Sequence, residues 1–532
     1  ADGSDLELFD HSPSGDFTPF VDSFGRIIWT RWDHLQRDQQ ADADVGDLLA
    51  GRDTTYEAKT YASEASDIPL ALAPGDEIFP EQRTVYGGDT PDPIWDFLRP
   101  TEEVHSFNFF FPWMMTQNGE GLEIVNHLGR HELADYIAPS RTYLEYGGVD
   151  KPADLFMEIC EDPTNPGHYY GIRCPEFSTR GAGQIVRLNA PPTRNADDIE
   201  TEYITHPETG GYDEPGDPRS PNHVGMFRDP VVLSDGTLWA SHSQSNLPDR
   251  ETVSNPPYPN VSPYVLSSRY DFAIKKLVTS PNGYRVPGER LNPGGINANV
   301  AYFDNNYYRQ VVYNGPMWEL QAIEVYPHAA PPAPEEPLPQ IEQDVLEEEL
   351  GGPSGVAAFK TYLRDNGLAL IISRDVTVRN DKQQDFNLKV AWSDHQTAAP
   401  ASTPKEIAYM QFFEGKQVRG FRWDGRRVLA RPMDSAANPE DVGAPESAVR
   451  LGDDGSMAAF VPAARALSWQ STETDGTPVV RERYWLTFKA GEVRVCANCH
   501  GLNRNDVFNN PGPTNEPEAL RTLVRWWLEQ QP

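Results

Sequence analysis

The sequence predicts a mainly β protein: an N-terminal β-propeller of about six or seven blades with insertions, then a β-sandwich-like domain closed by a terminal helix. Three observations carry this prediction. The 532 residues include 48 Pro and 41 Gly, about one position in six, a density that breaks long helices and favours short strands joined by loops. Short β-branched and aromatic runs alternate with turn signals along the first three hundred or so residues. Finally, residues 328–346 hold five prolines and few apolar side chains, which marks an extended, semi-rigid linker. The expected domains are therefore 1–327, the linker 328–346, and 347–532.

In the first domain the clearest strands are 25–32, 106–111, 184–188, 236–240 and 308–313. Turns such as Asn118-Gly119 and Asp235-Gly236 flank β-branched or aromatic stretches, and strand-turn-strand units at blade-sized intervals are the loose signature of a propeller. After the linker, 356–363 reads as a short amphipathic helix with Phe359, Tyr362 and Leu363 on one side and Gly367 as its stop. Strands return at 386–391, 409–413, 418–421, 457–461, 466–470 and 479–488, with hairpin signals at Asp454-Gly455 and Asp475-Gly476. They compose a small β-sandwich. The last helix, 518–528, places Leu520, Leu523, Val524 and Trp527 at helical spacing, and ordinary core packing explains it.

Composition excludes several classes of function. With 80 acidic and 45 basic residues the formal charge is −35, which disfavours nucleic acid or an anionic membrane as a steady partner. A mean hydropathy of −0.59 and the lack of an 18-residue apolar run exclude a transmembrane helix, while 11% aromatic residues exclude disorder. The glycine-rich stretch 351–355 lacks the lysine and spacing of a phosphate-binding loop, and no G-x-S-x-G elbow occurs.

Four cysteines carry most of the functional reading. Cys496, Cys499 and His500 form C-x-x-C-H, the covalent attachment motif for a c-type haem. Within one helical turn the spacing lets two thiols reach the porphyrin edge while the imidazole rises to the iron as proximal ligand. A redox dithiol or half of a zinc site would want a nearby βαβ pattern or a second ligand pair, and neither is readable. Cys160 and Cys174, 14 positions apart around turn-forming residues, are expected either to pair as a disulfide worth roughly 3 kcal/mol or to stay as two buried thiols. The first expectation suits a compartment where haem is attached outside the cytoplasm. The chain opens without a charged-then-apolar leader, so a periplasmic or extracellular location with the signal peptide already removed is expected.

The run 449–463, Trp469-Gln470, Asp475-Gly476, Tyr484-Trp485 and Gly491-Glu492 ahead of Cys496 resembles the C-terminal haem module of the hydrazine synthase alpha subunit family. The phrases 25–34, 119–130 and 229–240 resemble that family's middle domain, for which the resemblance implies a propeller. The family carries a second c-type haem where nitrogen chemistry takes place. This chain has one C-x-x-C-H and, beyond it, only Cys160 and Cys174, so the resemblance implies the scaffold and an electron-transfer haem without the catalytic one.

The sixth iron position decides between an electron carrier and a catalyst. No methionine follows Cys499, so a distal ligand must come from earlier segments. His395 is the first candidate, as the only other histidine after the linker, and Met457 is the alternative; Met410, Met433 and Tyr484 are further possibilities. His127 and His131 are four apart without the metalloprotease pattern. Asp33-His34, Asp229-Pro230 and the loop with Asp213, Glu214 and Asp217 offer oxygen ligands for calcium, although 80 carboxylates make such clusters common. The expected function is an exported monohaem cytochrome passing single electrons to a basic redox protein or within a larger complex. The alternatives are a haem oxidoreductase with an open iron acting on a small nitrogen or oxygen species, and a mainly structural subunit.

Overall fold

The computed structural model of the chain describes residues 6–11, 15–34, 108–128, 153, 155–175, 178–214, 216, 218, 220–249, 268–304, 309–333, 337–378, 388–396, 404–415, 430–433, 437–482, 484–497 and 512–531. The described residues are mainly β. Three four-stranded antiparallel meanders follow one another. The first contains β1 (Asp16–Val21), β2 (Arg26–His34), β3 (Asn108–Thr116) and β4 (Glu123–Ile124). The second contains β5 (Met157–Glu161), β6 (His168–Arg173), β7 (Gln184–Asn189) and β8 (Thr201–Tyr203). The third runs from β9 (Met226–Val232) through β10 (Leu238–Ser243) and β11 (Ala273–Thr279) to β12 (Arg285–Arg290), and a hairpin of β13 (Ile296–Asp304) and β14 (Arg309–Met317) follows.

Side-chain alternation explains how these sheets stack like propeller blades. Tyr169, Val186 and Leu188 of the second sheet pack on Trp29, Phe111 and Trp113 of the first. Tyr170, Ile172 and Ile185 point the other way, onto Phe227, Leu238 and Leu277 of the third. Gly171 makes room for the Phe156 ring in this core, because a Cβ there would lie 2.7 Å from it. A buried polar network ties the same two sheets: Arg26 donates to Asp22 at 2.8 Å, to Asn126 at 3.0 Å and to the Tyr169 hydroxyl at 2.7 Å, and that hydroxyl donates to Asp22 at 2.8 Å. Six or seven blades are not reached among the described residues. Of the longest other stretches, 35–107 falls between the paired β2 and β3 and 250–267 between β10 and β11, while 129–152 lies between the first sheet and the second.

The proline-rich segment ends earlier than 346. Helix α1 (Gln340–Leu350) starts directly after Pro339, the last of the five prolines, and buries Val345 and Leu346. Once no proline fixes φ or removes an amide, the amphipathic pattern can wind. Helix α2 (Pro353–Asp365) follows, and then β15 (Leu368–Ser373), a strand missing from the sequence prediction. Its run Leu-Ala-Leu-Ile-Ile has no alternation because both faces are covered. The strand lies between β21 (Met457–Pro462), antiparallel to it, and β24 (Val493–Cys496), parallel to it. Ala369 and Ile371 face a core shared with Phe412, Leu467 and Val479, whereas Leu370 and Ile372 face α1, α2 and α3 (Glu518–Gln530). Next come β16 (Leu388–Val390) and β17 (Lys405–Ile407), paired in parallel, and the opposing sheet is built on β18 (Tyr409–Gly415) and β22 (Leu467–Thr472), flanked by β19 (Ala430–Pro432), β20 (Ala448–Arg450) and β23 (Pro478–Arg481). The expected sandwich is thus present, with helices added outside one sheet.

The strand expected over 479–488 stops at Arg481, and the strand expected over 418–421 lies outside the described residues. Beyond Arg481 the chain turns so that Tyr484 and Trp485 enter the core of the first sheet; Tyr484 meets the Trp113 ring edge-on at 5.6 Å. Arg31 completes this junction, its guanidinium 3.8 Å from the centre of the Trp113 ring and donating to the Trp485 carbonyl.

The expected disulfide is not formed: Cys160 and Cys174 are not bonded to each other. The hairpin explains why. Cys160 lies opposite Tyr170 in the β5–β6 register, so Cys174 is four residues further along, about 13 Å at 3.3 Å per residue. A disulfide needs Cα atoms within about 7 Å. Cys174 instead touches the Met157 sulfur at 3.7 Å, and burial pushes the Cys160 thiol up to about 12. Iodoacetamide followed by mass mapping is expected to leave both thiols unmodified in the folded protein and to alkylate both after unfolding without reductant; protection that persists in denaturant would show a disulfide.

Candidate functional site

Strand β24 brings Cys496, the first residue of the C-x-x-C-H run, to the place where the sandwich meets the first sheet. Its parallel register pairs Ile371 with Arg494, Ile372 with Val495 and Ser373 with Cys496. Because successive side chains alternate, Val493 and Val495 join the helix-side core and Arg494 and Cys496 share the opposite face. The Arg374 amide donates to the Cys496 carbonyl at 3.2 Å, which fixes the strand's end. Cys499 and His500 lie outside the described residues.

From that face Arg494 reaches Glu123 of β4 at 2.9 Å, and Glu123 also meets His127 at 2.8 Å. Burial alone would raise the Glu123 carboxyl, but His127 and Arg494 outweigh it and hold it below the ordinary carboxylate range. The same burial pushes the Cys496 thiol up, with Arg494 opposing. Glu492 adds a second tie by accepting from the Gly121 amide at 3.2 Å and the Lys489 amide at 2.8 Å. His127 is presented by a kink in which Asn126 (φ 55) and His127 (φ 59) are both left-handed. Asn126 anchors it by donating to the carbonyls of Pro191 and Arg194 at 2.8 and 3.0 Å. The sequence offered no sign of this cluster, since Glu123 and Arg494 are 371 positions apart. His131, read alongside His127, lies outside the described residues.

The distal candidates fall in different places. Met457 pairs with Ser373 from the other side of β15, so Met457, Ser373 and Cys496 form one row across the sheet on one face. Between the two sulfurs, the Ser373 hydroxyl is buried and has no hydrogen-bond partner among the described residues. His395 is held elsewhere: its Nε2 meets Asp375 at 2.8 Å, a bond that raises the imidazole pKa. Gly455, in the expected Asp-Gly turn, makes room for this pair, since a Cβ there would stand 2.4 Å from Asp375 and 2.9 Å from His395. Met410 and Met433 are buried in the sandwich core, and Tyr484 belongs to the domain junction.

Among the described residues no three His, Cys, Asp or Glu side chains converge as a metal site. In the acidic loop Asp213 accepts from Asn246 at 2.6 Å, and Asp217 lies outside the described residues, as do the side chains of Asp33 and His34. Of the expected calcium ligands, Asp229 alone is left with both oxygens buried and no hydrogen-bond partner among the described residues. No helix of the described residues is long and apolar enough to cross a membrane.

Residues 437–501 match the family described as the hydrazine synthase alpha subunit middle domain. The matched stretch runs from β20 through β24 into C-x-x-C-H, so the relation to the hydrazine synthase alpha subunit holds there, and the middle-domain description falls on this stretch and not on 1–327. Hydrazine synthase from Kuenenia stuttgartiensis is similar in structure at 11% identity with a TM-score of 0.38, over 95% of this chain and 46% of that one. The chain thus spans under half the length of that protein. No curated protein matches.

Proposed function

We propose that the chain is a monohaem c-type protein, exported to the periplasm or beyond, that passes single electrons within or towards a larger redox assembly. The observation that supports the reading is that Cys496, which opens C-x-x-C-H in the sequence, ends a strand tied to the first sheet, inside the stretch that matches a redox-enzyme subunit family. The described residues fit the group. Cys496 is not bonded to another cysteine, and its row neighbour Ser373 has an unpartnered buried hydroxyl among the described residues. Cys496 and Cys499 would hold haem as thioethers and His500 would be the proximal ligand. Bound there, haem supplies a one-electron couple.

The protein's part is to fix Cys496 and exclude water. The Arg374 amide holds the strand end, and the Arg494–Glu123 pair presses β24 onto the first sheet. Met457 shares a face with Cys496 two strands away, about 10 Å at the usual strand spacing, which favours it over His395 as the distal ligand. For His395 to serve through Nε2, its bond to Asp375 would have to break. The charge of −35 favours a basic redox partner and an association that weakens with salt.

The test is spectroscopic. Cys496→Ser together with Cys499→Ser should abolish covalent haem staining in a denaturing gel. The reduced parent should be low-spin and refuse carbon monoxide; Met457→Leu should turn it high-spin, and His395→Ala should leave it unchanged. Ready carbon monoxide binding by the parent would replace the carrier with an open-iron oxidoreductase. A second reading, a mainly structural subunit, is favoured by the matched family being that of a subunit, and a stable monomer in native mass analysis would count against it.

A further inference from the structure

The second and third sheets meet along β5 and β9, and each of these strands is broken at the seam. In β5 the register slips between Met157 and Cys160, and Glu158 has φ 55. In β9 the pairing with β10 slips between Arg228 and Val231, where Asp229 has φ 46 just before Pro230. Left-handed backbone is uncommon for side-chain-bearing residues, and a following proline restricts it further. The two bulges bring two carboxyl groups together. The Asp229 amide donates to Glu158 Oε2 at 2.6 Å, and Arg228 donates to Glu158 Oε1 through Nε at 3.0 Å and Nη2 at 2.6 Å.

Glu158 is therefore satisfied, and Asp229 is not. Asp229 is only 6% exposed, and neither carboxylate oxygen has a hydrogen-bond partner among the described residues. An uncompensated buried carboxylate is costly, so a native fold keeps one where a counter-ion compensates it. Burial also pushes Glu158 up, to about 7, with Asp229 adding to the rise against Arg228. One divalent cation would relieve both carboxyls at once.

We propose that Asp229, with Oε2 of Glu158, binds a hard divalent cation of the calcium class at the seam between the second and third sheets. The donors are carboxylate oxygens, which select calcium over thiophilic metals. The soft donor on β5, Cys160, is engaged by backbone amides of Val232 and Tyr170 and stays protonated, so it does not compete. Bound there, the ion staples two adjacent sheets whose main-chain pairing is interrupted on both sides.

The full chain, stripped with chelator and dialysed, is titrated with calcium chloride by calorimetry and by thermal unfolding. The parent is expected to bind one calcium saturably and to melt at a higher temperature with it. Asp229→Asn should weaken binding roughly tenfold or more and remove the calcium-dependent rise in melting temperature. Metal-free Asp229→Asn should melt no lower than the metal-free parent, because asparagine tolerates positive φ and carries no charge to leave unpaired. Every other acidic residue is intact in that variant, so diffuse binding to the acidic surface survives in it and only the seam site is lost. Absence of saturable binding by the parent, or equal affinity in the variant, would overturn the proposal. If Asp229→Asn does not fold, Glu158→Gln carries the same calorimetric test.

Discussion

Replacing Glu123 by alanine is expected to cost about 3–5 kcal/mol, the range for breaking a buried ion pair from one side. Glu123 is 8% exposed and serves two partners, the Arg494 guanidinium at 2.9 Å and the His127 imidazole at 2.8 Å. Its removal leaves Arg494 enclosed without that carboxylate, on the strand that ends at Cys496. Urea unfolding followed by tryptophan fluorescence reads the loss, and the double variant with Arg494→Ala should recover part of it. A loss under about 1 kcal/mol would place the pair with exposed ion pairs, whose contribution is small. The carboxyl also has a pH signature. Its folded pKa lies below the ordinary 4.5, so its stabilisation is fully present above that value and is lost as pH falls towards the lowered one. Glu123→Ala should accordingly flatten the acid limb of the stability profile.

Glu342→Ala should have an effect of similar size, about 3–5 kcal/mol. Glu342 of α1 is fully buried and takes Arg374 in a two-pronged bond, Nε to Oε1 at 2.6 Å and Nη2 to Oε2 at 2.8 Å. Such a fork is stronger and more directional than a single contact. Arg374 also donates to the Pro513 carbonyl at 3.1 Å, accepts from Asn515 at 2.9 Å, and holds the Cys496 carbonyl through its amide. The loss should therefore appear twice, as a lower urea midpoint and as faster hydrogen exchange of the Arg374 amide relative to the amides of β15. Retention of both would mean that α1 is anchored by Val345 and Leu346 and by the Arg521 and Arg525 pairs with Glu348 and Glu349, without Glu342.

Both predictions concern residues that sequence reasoning passed over, for a common physical reason. Local pattern reveals what a residue does to its own few neighbours in the chain. The C-x-x-C-H spacing, the Asp454-Gly455 turn, and the helix with Leu520, Leu523, Val524 and Trp527 on one side are all of that kind, and all were readable. Glu123 and Arg494 meet across 371 positions, and no periodicity reports such a contact. Likewise β15 escaped because burial on both faces erases the alternation by which strands are recognised, and 340–346 passed for linker because the five prolines just before it, the last at Pro339, dominate the composition of 328–346.

The cysteines show the division most clearly. A separation of 14 positions permits a disulfide on loop entropy alone, yet a hairpin register places Cys174 opposite a point four residues from Cys160, and the bond cannot close. His395 was singled out as the only histidine after the linker besides His500, and the fold gave its Nε2 to Asp375. Met457 was placed by strand pairing on the face that Cys496 shares. The sequence by itself determined the β class, the acidic surface, the haem-type motif and the relation seen over 437–501, because these depend on composition and short spacing. Only the tertiary structure decided which side chains surround Cys496, which thiols stay apart, and where Asp229 is left with two buried oxygens, because register and packing bring together residues the chain keeps far apart.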